Sequence, residues 1–318
     1  MTKGHVLALC GGVGGAKLAA GLAQTLPSER LSIVVNTGDD FEHLGLSISP
    51  DIDTVVYTLA GLSDDQRGWG LAGESWRTLE SLGRLGEPIW FQLGDQDLAM
   101  HIARTHRLRA GETLSQVTAA LANALGIAPA IIPMSDDPVR TEIETENGVL
   151  AFQHYFVAQQ CKPVARAIRY AGADKARVSP GFQAALARAD LSALVICPSN
   201  PYLSVDPLLA LPGVRALLAA LKVPRIAVSP IVGGRAIKGP LAKLMRELSA
   251  SASVTGIARH YQGLIDCLVI DETDAQEAKT IEALGIKPVI APAIMRSHED
   301  RIALARTTLA AANIAPNE

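Results

Sequence analysis

The sequence predicts an α/β protein: a parallel sheet with helices on both faces, interrupted by one inserted antiparallel and helical subdomain. Three observations predict it. Short apolar runs recur along the chain, each followed by a loop and then a helical pattern. That alternation marks βαβ units, which cross over right-handed. The 318 residues are 48% hydrophobic and 19% charged, the proportions of a packed globular protein. Aromatics are only 4%, so aliphatic residues carry the core, as suits strands buried on both faces. At roughly 150 residues per domain, the length allows two domains or one large α/β domain with insertions.

Taken in order, Val6–Leu9 reads as the first strand and Leu31–Val35 as the second. Ile89–Leu93, Ala130–Pro133, Ala193–Cys197, Arg225–Ser229, Cys267–Ile270 and Pro288–Ala291 read as the others. Helical patterns lie between them over Gly15–Leu26, Asp97–Arg107, Leu114–Leu125, Pro180–Ala189, Val214–Leu221, Leu241–Leu248, Ala275–Leu284 and His298–Ala311. From Pro138 to about Tyr170 the pattern changes. Arg140–Thr145 alternates charged and apolar residues, Asn147-Gly148 is a hairpin signal, and Val149–Val157 looks strand-like. We therefore expect a Rossmann-like nucleotide-binding core in 1–94 and 190–318, with the inserted subdomain in 95–189.

The formal net charge is −3, without the basic excess of a general nucleic-acid binder. No apolar run reaches the ~18 residues of a membrane span. The run Val6–Cys10 is too short for a signal-peptide core. Cys10, Cys161, Cys197 and Cys267 form no Cys-x-x-Cys pair and read as small buried residues of a reducing compartment. A cytoplasmic protein with neither nucleic acid nor membrane as partner is expected.

Six motifs fall at predicted strand ends or at the helix starts that follow, where open α/β sheets bind ligands. Gly11-Gly12-Val13-Gly14-Gly15-Ala16-Lys17 lets the backbone approach a phosphate and opens a helix whose free N–H groups attract anions. Lys17 stands where a dinucleotide fingerprint needs Gly or Ala, and no Gly-Lys-Ser/Thr follows, so neither standard phosphate loop is present. Asn36-Thr37-Gly38-Asp39-Asp40 ends the second strand with Asn36 where an NAD enzyme carries an acid. Asp39 and Asp40 suit Mg²⁺, which takes one or two carboxylates plus phosphate oxygens and waters; an Asx turn with a solvated acid pair is the alternative. Ser49-Pro50-Asp51-Ile52-Asp53-Thr54 starts a helix, with Ser49 or Asp51 as its N-cap.

Leu93-Gly94-Asp95-Gln96-Asp97 opens another helix, which ends in Arg104, His106, Arg107 and Arg109. Those cations read as complements of the helix dipole. His101, His106 and His154 read as structural or surface residues. Pro198-Ser199-Asn200-Pro201 is a stiff loop with two polar readers, and Ser229–Pro240 carries Arg235 and Lys238 as a second phosphate clamp.

In this order and spacing, these motifs and Gly68-Trp69-Gly70-Leu71 resemble the 2-phospho-L-lactate transferases of deazaflavin (coenzyme F-420) biosynthesis. The likeness runs from the first strand to beyond Pro240. It implies Mg²⁺-dependent transfer of a phospholactyl, phosphoenolpyruvyl or phosphoglyceryl group from a guanosine-diphosphate adduct to the ribityl hydroxyl of the deazariboflavin Fo, with release of GMP. It also implies a homodimer. By motif match, Asp53 and Asp39 are the acids of the reaction centre, with Asp53 near the Fo hydroxyl and Asp39 and Asp40 at the metal. Gln92 occupies an Fo-contact position that is basic in some relatives. Trp69 is expected over the Fo ring, with Trp76, Trp90 and Phe91 nearby, and Arg67–Gly70 as a lid. Gly11, Gly12, Gly14, Gly15, Lys17, Ser199, Asn200 and Lys238 are expected around the nucleotide phosphates. The competing classes are a nucleotide-sugar-binding regulator of related fold and an NAD-dependent dehydrogenase.

Overall fold

The structure, a computed structural model, describes residues 4–237 and 239–316. β1 (His5–Cys10) is buried along its whole length. Val6, Ala8 and Cys10 face one helical layer, and Leu7 and Leu9 face the other. Period-two alternation between two apolar cores is why the strand reads as an unbroken apolar run. After Gly11 comes α1 (Gly12–Thr25), and then β2 (Leu31–Val35) pairs parallel to β1. The hairpin β3 (Phe41–His43) and β4 (Leu46–Ile48) leads into α2 (Pro50–Leu59), α3 (Arg77–Arg84), α4 (Asp95–Arg109) and α5 (Leu114–Ala124). β5 (Ala130–Pro133) then pairs parallel to β2.

β6 (Arg140–Thr145), β7 (Gly148–Ala151) and β8 (Ala165–Ala171) form a separate antiparallel sheet with β6 in the middle. After α6 (Pro180–Leu186) the chain returns to the other side of β1 as β9 (Leu191–Ile196). α7 (Asp206–Leu209), α8 (Val214–Ala220) and β10 (Arg225–Val228) follow. Beyond them lie the hairpin β11 (Ile231–Val232) and β12 (Arg235–Ala236), then α9 (Leu241–Glu247) and α10 (Val254–His260). β13 (Cys267–Ile270), α11 (Ala278–Glu282), β14 (Lys287–Ile290) and α12 (His298–Ala311) complete the order.

Among the described residues the central sheet runs β14-β13-β10-β9-β1-β2-β5, every neighbour parallel. The chain winds outward from β1 to β5, then crosses back to β9 and winds outward the other way. The direction therefore reverses between β1 and β9, and the crevice beyond their carboxyl ends is the ligand position of such sheets. Leu18 and Leu22 of α1, Val55 of α2, and Leu304 and Leu309 of α12 cover one face. Phe182 of α6, Leu218 of α8 and Ile257 of α10 cover the other. α1 and α12 approach so closely that a Cβ on Gly21 would lie 2.1 Å from the Arg301 carbonyl oxygen. Only glycine fits there.

Three expectations need correction. Ile89–Leu93 is a loop that joins no sheet; it packs Trp90 and Phe91 tilted or edge-on against Phe41 and His43. Strand character from Val149 ends at Ala151, and His154–Ala158 coils into a π-helical turn that buries Tyr155. Within 95–189, β5 belongs to the central sheet, so the antiparallel part of the insertion is β6–β8. That small sheet is pinned over the carboxyl edge: Ile143, Phe152, Tyr155 and Ala165 pack on Leu203 and on Leu244 of α9. The Thr141 amide donates to the Gly38 carbonyl at 2.7 Å. The sequence reading has no element at the hairpin β3–β4, whose strands are three residues each, nor at the helices α3 and α10.

Candidate active site

A cavity of about 810 Å³ opens at the reversal between β1 and β9, near the upper end of the roughly 300–1,000 Å³ typical of small-molecule sites. Gly11–Gly14 and Pro198–Asn200 form its floor, α2 supplies Asp51, Asp53 and Tyr57, and the insertion supplies Phe152 and Phe156. Lys17, Asp39, Trp69, Gln92, Ser199 and Asn200 also line it, as the sequence predicts. Lys238 lies outside the described residues, while its neighbours Ile237 and Gly239 line the cavity.

The glycine loop is packed against β9. A Cβ on Gly14 would lie 2.5 Å from the Pro198 carbonyl oxygen. Gly15 is buried below the cavity, against Ser199 and Cys10, and contributes packing rather than a phosphate contact. Two loop amides are already engaged. Gly11 N–H donates to Ser199 Oγ at 3.1 Å, and Gly12 N–H donates to Asp51 Oδ1 at 2.8 Å. The expected phosphate contact of Gly12 is thus taken by Asp51, whose carboxylate sits at the positive end of α1. Val13 and Gly14, one step further, line the cavity. Lys17 Nζ donates to the Met295 carbonyl at 3.0 Å. Asn200 accepts from the amides of Tyr202 and Leu203.

Asn36 is fully buried. Its amide donates to Asp51 Oδ2 at 2.9 Å and to the Leu203 carbonyl at 3.1 Å, and its oxygen accepts from Gly38 N–H at 2.8 Å. Nothing is left for a ribose, which removes the dehydrogenase reading. Asp39 lines the cavity, its Oδ1 is buried without a hydrogen-bond partner, and burial together with the Asp51 charge pushes its pKa well up. Burial also raises Asp51, to about 6. Asp40 does not share the cavity. Its Oδ2 accepts from the Ser49 hydroxyl at 2.8 Å, and it faces the charges of Arg140 and Arg104. Ser49 therefore leaves the N-terminus of α2 without a side-chain cap, and Asp51 caps α1 instead of its own helix.

Burial raises the Asp40 pKa to about 7, above the unfolded carboxyl value of about 3.9. The folded chain then holds this proton more tightly, so its stabilising contribution is full below the unfolded pKa and is lost as pH rises through about 7. Asp40→Asn is expected to gain stability relative to the native chain between pH 5 and pH 8. Thermal melts of both proteins at each pH check this; a constant difference overturns it.

The sequence reading missed the other half of the site. Asp97, His101 and Arg104 lie four and three residues apart on one face of α4. Arg104 is 1% exposed and forks onto Asp53, with Nη1 to Oδ2 at 3.1 Å and Nη2 bonded to Oδ1. Burial would lower the guanidinium pKa, but Asp53 outweighs it and raises it. Burial would raise Asp97, but His101 and the Tyr57 hydroxyl, which donates to Oδ1 at 2.5 Å, hold it below the usual carboxylate range. The i, i+4, i+7 spacing is the signal that a helix-dipole reading of Arg104 passed over.

The aromatic wall is richer than expected. Phe152 and Phe156 stack with centroids 5.4 Å apart and planes at 10°, and both line the cavity. Arg67 lies 4.6 Å over the Trp69 ring and 5.2 Å over Trp76, so Trp76 supports Trp69 from outside the cavity lining. His154, read as structural or surface, is exposed and packs edge-on to Trp90.

A family model described as 2-phospho-L-lactate transferase CofD matches residues 6–303. The chain belongs to the CofD family. A phosphoenolpyruvate transferase of Streptomyces griseus subsp. griseus is 38% identical to this CofD-family chain over 311 residues, covering 96% of this chain and 97% of its own. The 2-phospho-L-lactate transferase of Methanosarcina mazei is 38% identical over 301 residues, covering 95% and 98%. That of Methanosarcina acetivorans is 40% identical over 294 residues, covering 92% and 94%. The crystal structure of a UPF0052 family member from Bacillus halodurans superposes with a TM-score of 0.62 over 97% of this chain and 99% of that one. At 15% identity, that likeness concerns the fold alone. The CofD-family chain is thus a transferase on a Rossmann-like sheet.

Proposed function

We propose that this CofD-family transferase moves a phospholactyl, phosphoenolpyruvyl or phosphoglyceryl group from a guanosine-diphosphate adduct to the ribityl hydroxyl of 7,8-didemethyl-8-hydroxy-5-deazariboflavin (Fo). GMP is released, in coenzyme F-420 biosynthesis. The observation that carries this reading is one continuous cavity running from the glycine loop, past Asp53, to the Phe152–Phe156 wall. A nucleotide and a flat tricycle fit it end to end, with Asp53 between them. Asp53 orients the ribityl hydroxyl and takes its proton as the new O–P bond forms and the P–O bond to GMP breaks. Arg104 holds that carboxylate in place. Val13 and Gly14, one step past the engaged amides of Gly11 and Gly12, and the side chain of Lys17 face the diphosphate, and the aromatic wall and Trp69 take the ring.

Asp39 fits Mg²⁺. It is a buried carboxylate on the cavity with an unpartnered oxygen, whose ionisation a cation would favour. Among the described residues no three His, Cys, Asp or Glu converge on one point, which suits an ion that takes most of its ligands from phosphate and water. When bound, Mg²⁺ supplies neutralisation of the charge spread over the phosphoryl oxygens. Asp39→Asn is expected to raise the Mg²⁺ concentration for half-saturation at least about tenfold, since even outer-shell changes cost about 10–100-fold in metal affinity. Mg²⁺ titration by calorimetry with the guanosine nucleotide bound checks this; an unchanged curve removes Asp39 from the metal.

We further assign the protein to the cytoplasm as a homodimer, with no nucleic-acid or membrane partner. The net charge of −3 lacks the basic excess of a general nucleic-acid binder, and among the described residues no single helix is long and apolar enough to cross a membrane. The deciding experiment mixes purified protein, Mg²⁺, Fo and each guanosine-diphosphate adduct, and reads products by mass spectrometry. A phosphodiester of Fo with stoichiometric GMP supports the reading, and relative rates name the acid. No product from any adduct, with a UDP-sugar bound instead, turns it to the regulatory-binding class.

A further inference from the structure

We propose that Asp97 and His101 are positioning residues for the transfer, holding Arg104 in the one orientation that presents Asp53 to the attacking hydroxyl. The inference rests on the role given to Asp53 above. Two helices meet here. α2 brings Asp53 and Tyr57, and α4 brings Asp97, His101 and Arg104. His101 is 2% exposed. Its Nδ1 lies 3.2 Å from Arg104 Nη1 and 3.7 Å from Asp53 Oδ2. A guanidinium only donates, so Nδ1 is the acceptor and the ring proton sits on Nε2. Nε2 faces Asp97 Oδ2 at 3.2 Å, off the line of an ideal hydrogen bond. Asp97 is itself anchored by the Tyr57 hydroxyl. The carboxylate thus selects the imidazole tautomer, the tautomer offers a lone pair to Arg104, and Arg104 forks onto Asp53. No proton moves through this chain, because a donor already fills Nδ1.

A network that merely glued α2 to α4 would not depend on which ring nitrogen carries the proton. Asp97→Asn makes the two readings diverge. The new amide donates to Nε2 and drives the proton to Nδ1, against an Arg104 N–H. The kcat is expected to fall about 10²-fold, the scale of a small misplacement of a reacting group. KM for both substrates should hold within about threefold, as for an interaction made in the transition state. Adding His101→Asn removes the tautomer and restores an acceptor oxygen near the Nδ1 position, so kcat should recover at least about tenfold. Wild-type kcat in Asp97→Asn, or losses that multiply in the double variant, overturns the proposal.

Imidazole ¹⁵N shifts provide a readout independent of turnover. The proton should lie on Nε2 in the native chain and on Nδ1 in Asp97→Asn; the same tautomer in both overturns the proposal. If Asp97→Asn does not fold, His101→Phe and His101→Asn replace it. His101→Phe should have the lower kcat by at least about tenfold, and equal losses count against the proposal. A native protein that yields no product from any adduct is a failure of the reaction assignment instead, and the ¹⁵N result still decides the tautomer.

Discussion

Asp53→Asn is expected to lower kcat by about 10²–10⁴-fold, the usual contribution of a positioned general base, with guanosine nucleotide affinity unchanged. The physical reason is local. Asp53 lies on the cavity between the glycine loop and the aromatic wall, and the amide keeps an acceptor for Arg104 while losing the ability to take a proton. Single-turnover rates with Mg²⁺ saturating measure the effect, and calorimetry measures the affinity. A kcat near that of the native chain would falsify the proton-accepting role and leave Asp53 as an anchor for α4.

Arg104→Met should show the largest effect on stability. Removing one partner of a buried ion pair typically costs about 3–5 kcal/mol, because the other charge is left uncompensated. Asp53 and Arg104 are both buried. Denaturant melts of Arg104→Met should therefore show a large loss. The double variant Asp53→Leu/Arg104→Met should recover much of it, since apolar replacement of a buried pair is often neutral. The recovered protein should still be inactive. Equal stability of the single and double variants would mean that Asp53 is not left stranded when the guanidinium goes. The double variant thereby separates a folding defect from a catalytic one.

Much of the site was legible in the chain because its signals are local. A glycine run directly after an apolar strand, Asn36–Asp40 after the next, and a Pro-Asp-Ile-Asp helix start each lie within a few residues of the strand that positions them. Where the chain misled, a distant segment decided. Ile89–Leu93 has strand composition, but it joins no sheet and instead packs its aromatic side chains on the β3–β4 hairpin. Phe152 and Phe156 join the cavity because Val149–Val157 stops being a strand halfway and coils.

Parallel strands, their order of appearance and the position of ligand chemistry at their carboxyl ends follow from hydrophobic periodicity and turn chemistry, which act over a handful of residues. How the polar groups pair off was decided in three dimensions. Asp51 spends its charge on the helix start of α1, 39 residues away in sequence, Asp40 turns to Ser49, and Arg104 reaches across 51 residues to Asp53. A buried charge must find its partner within a few ångströms or give up its charge, as burial drives Asp39 and Asp40 to do. Which partner lies within that distance depends on how α2 and α4 pack, and no spacing along a single helix encodes it.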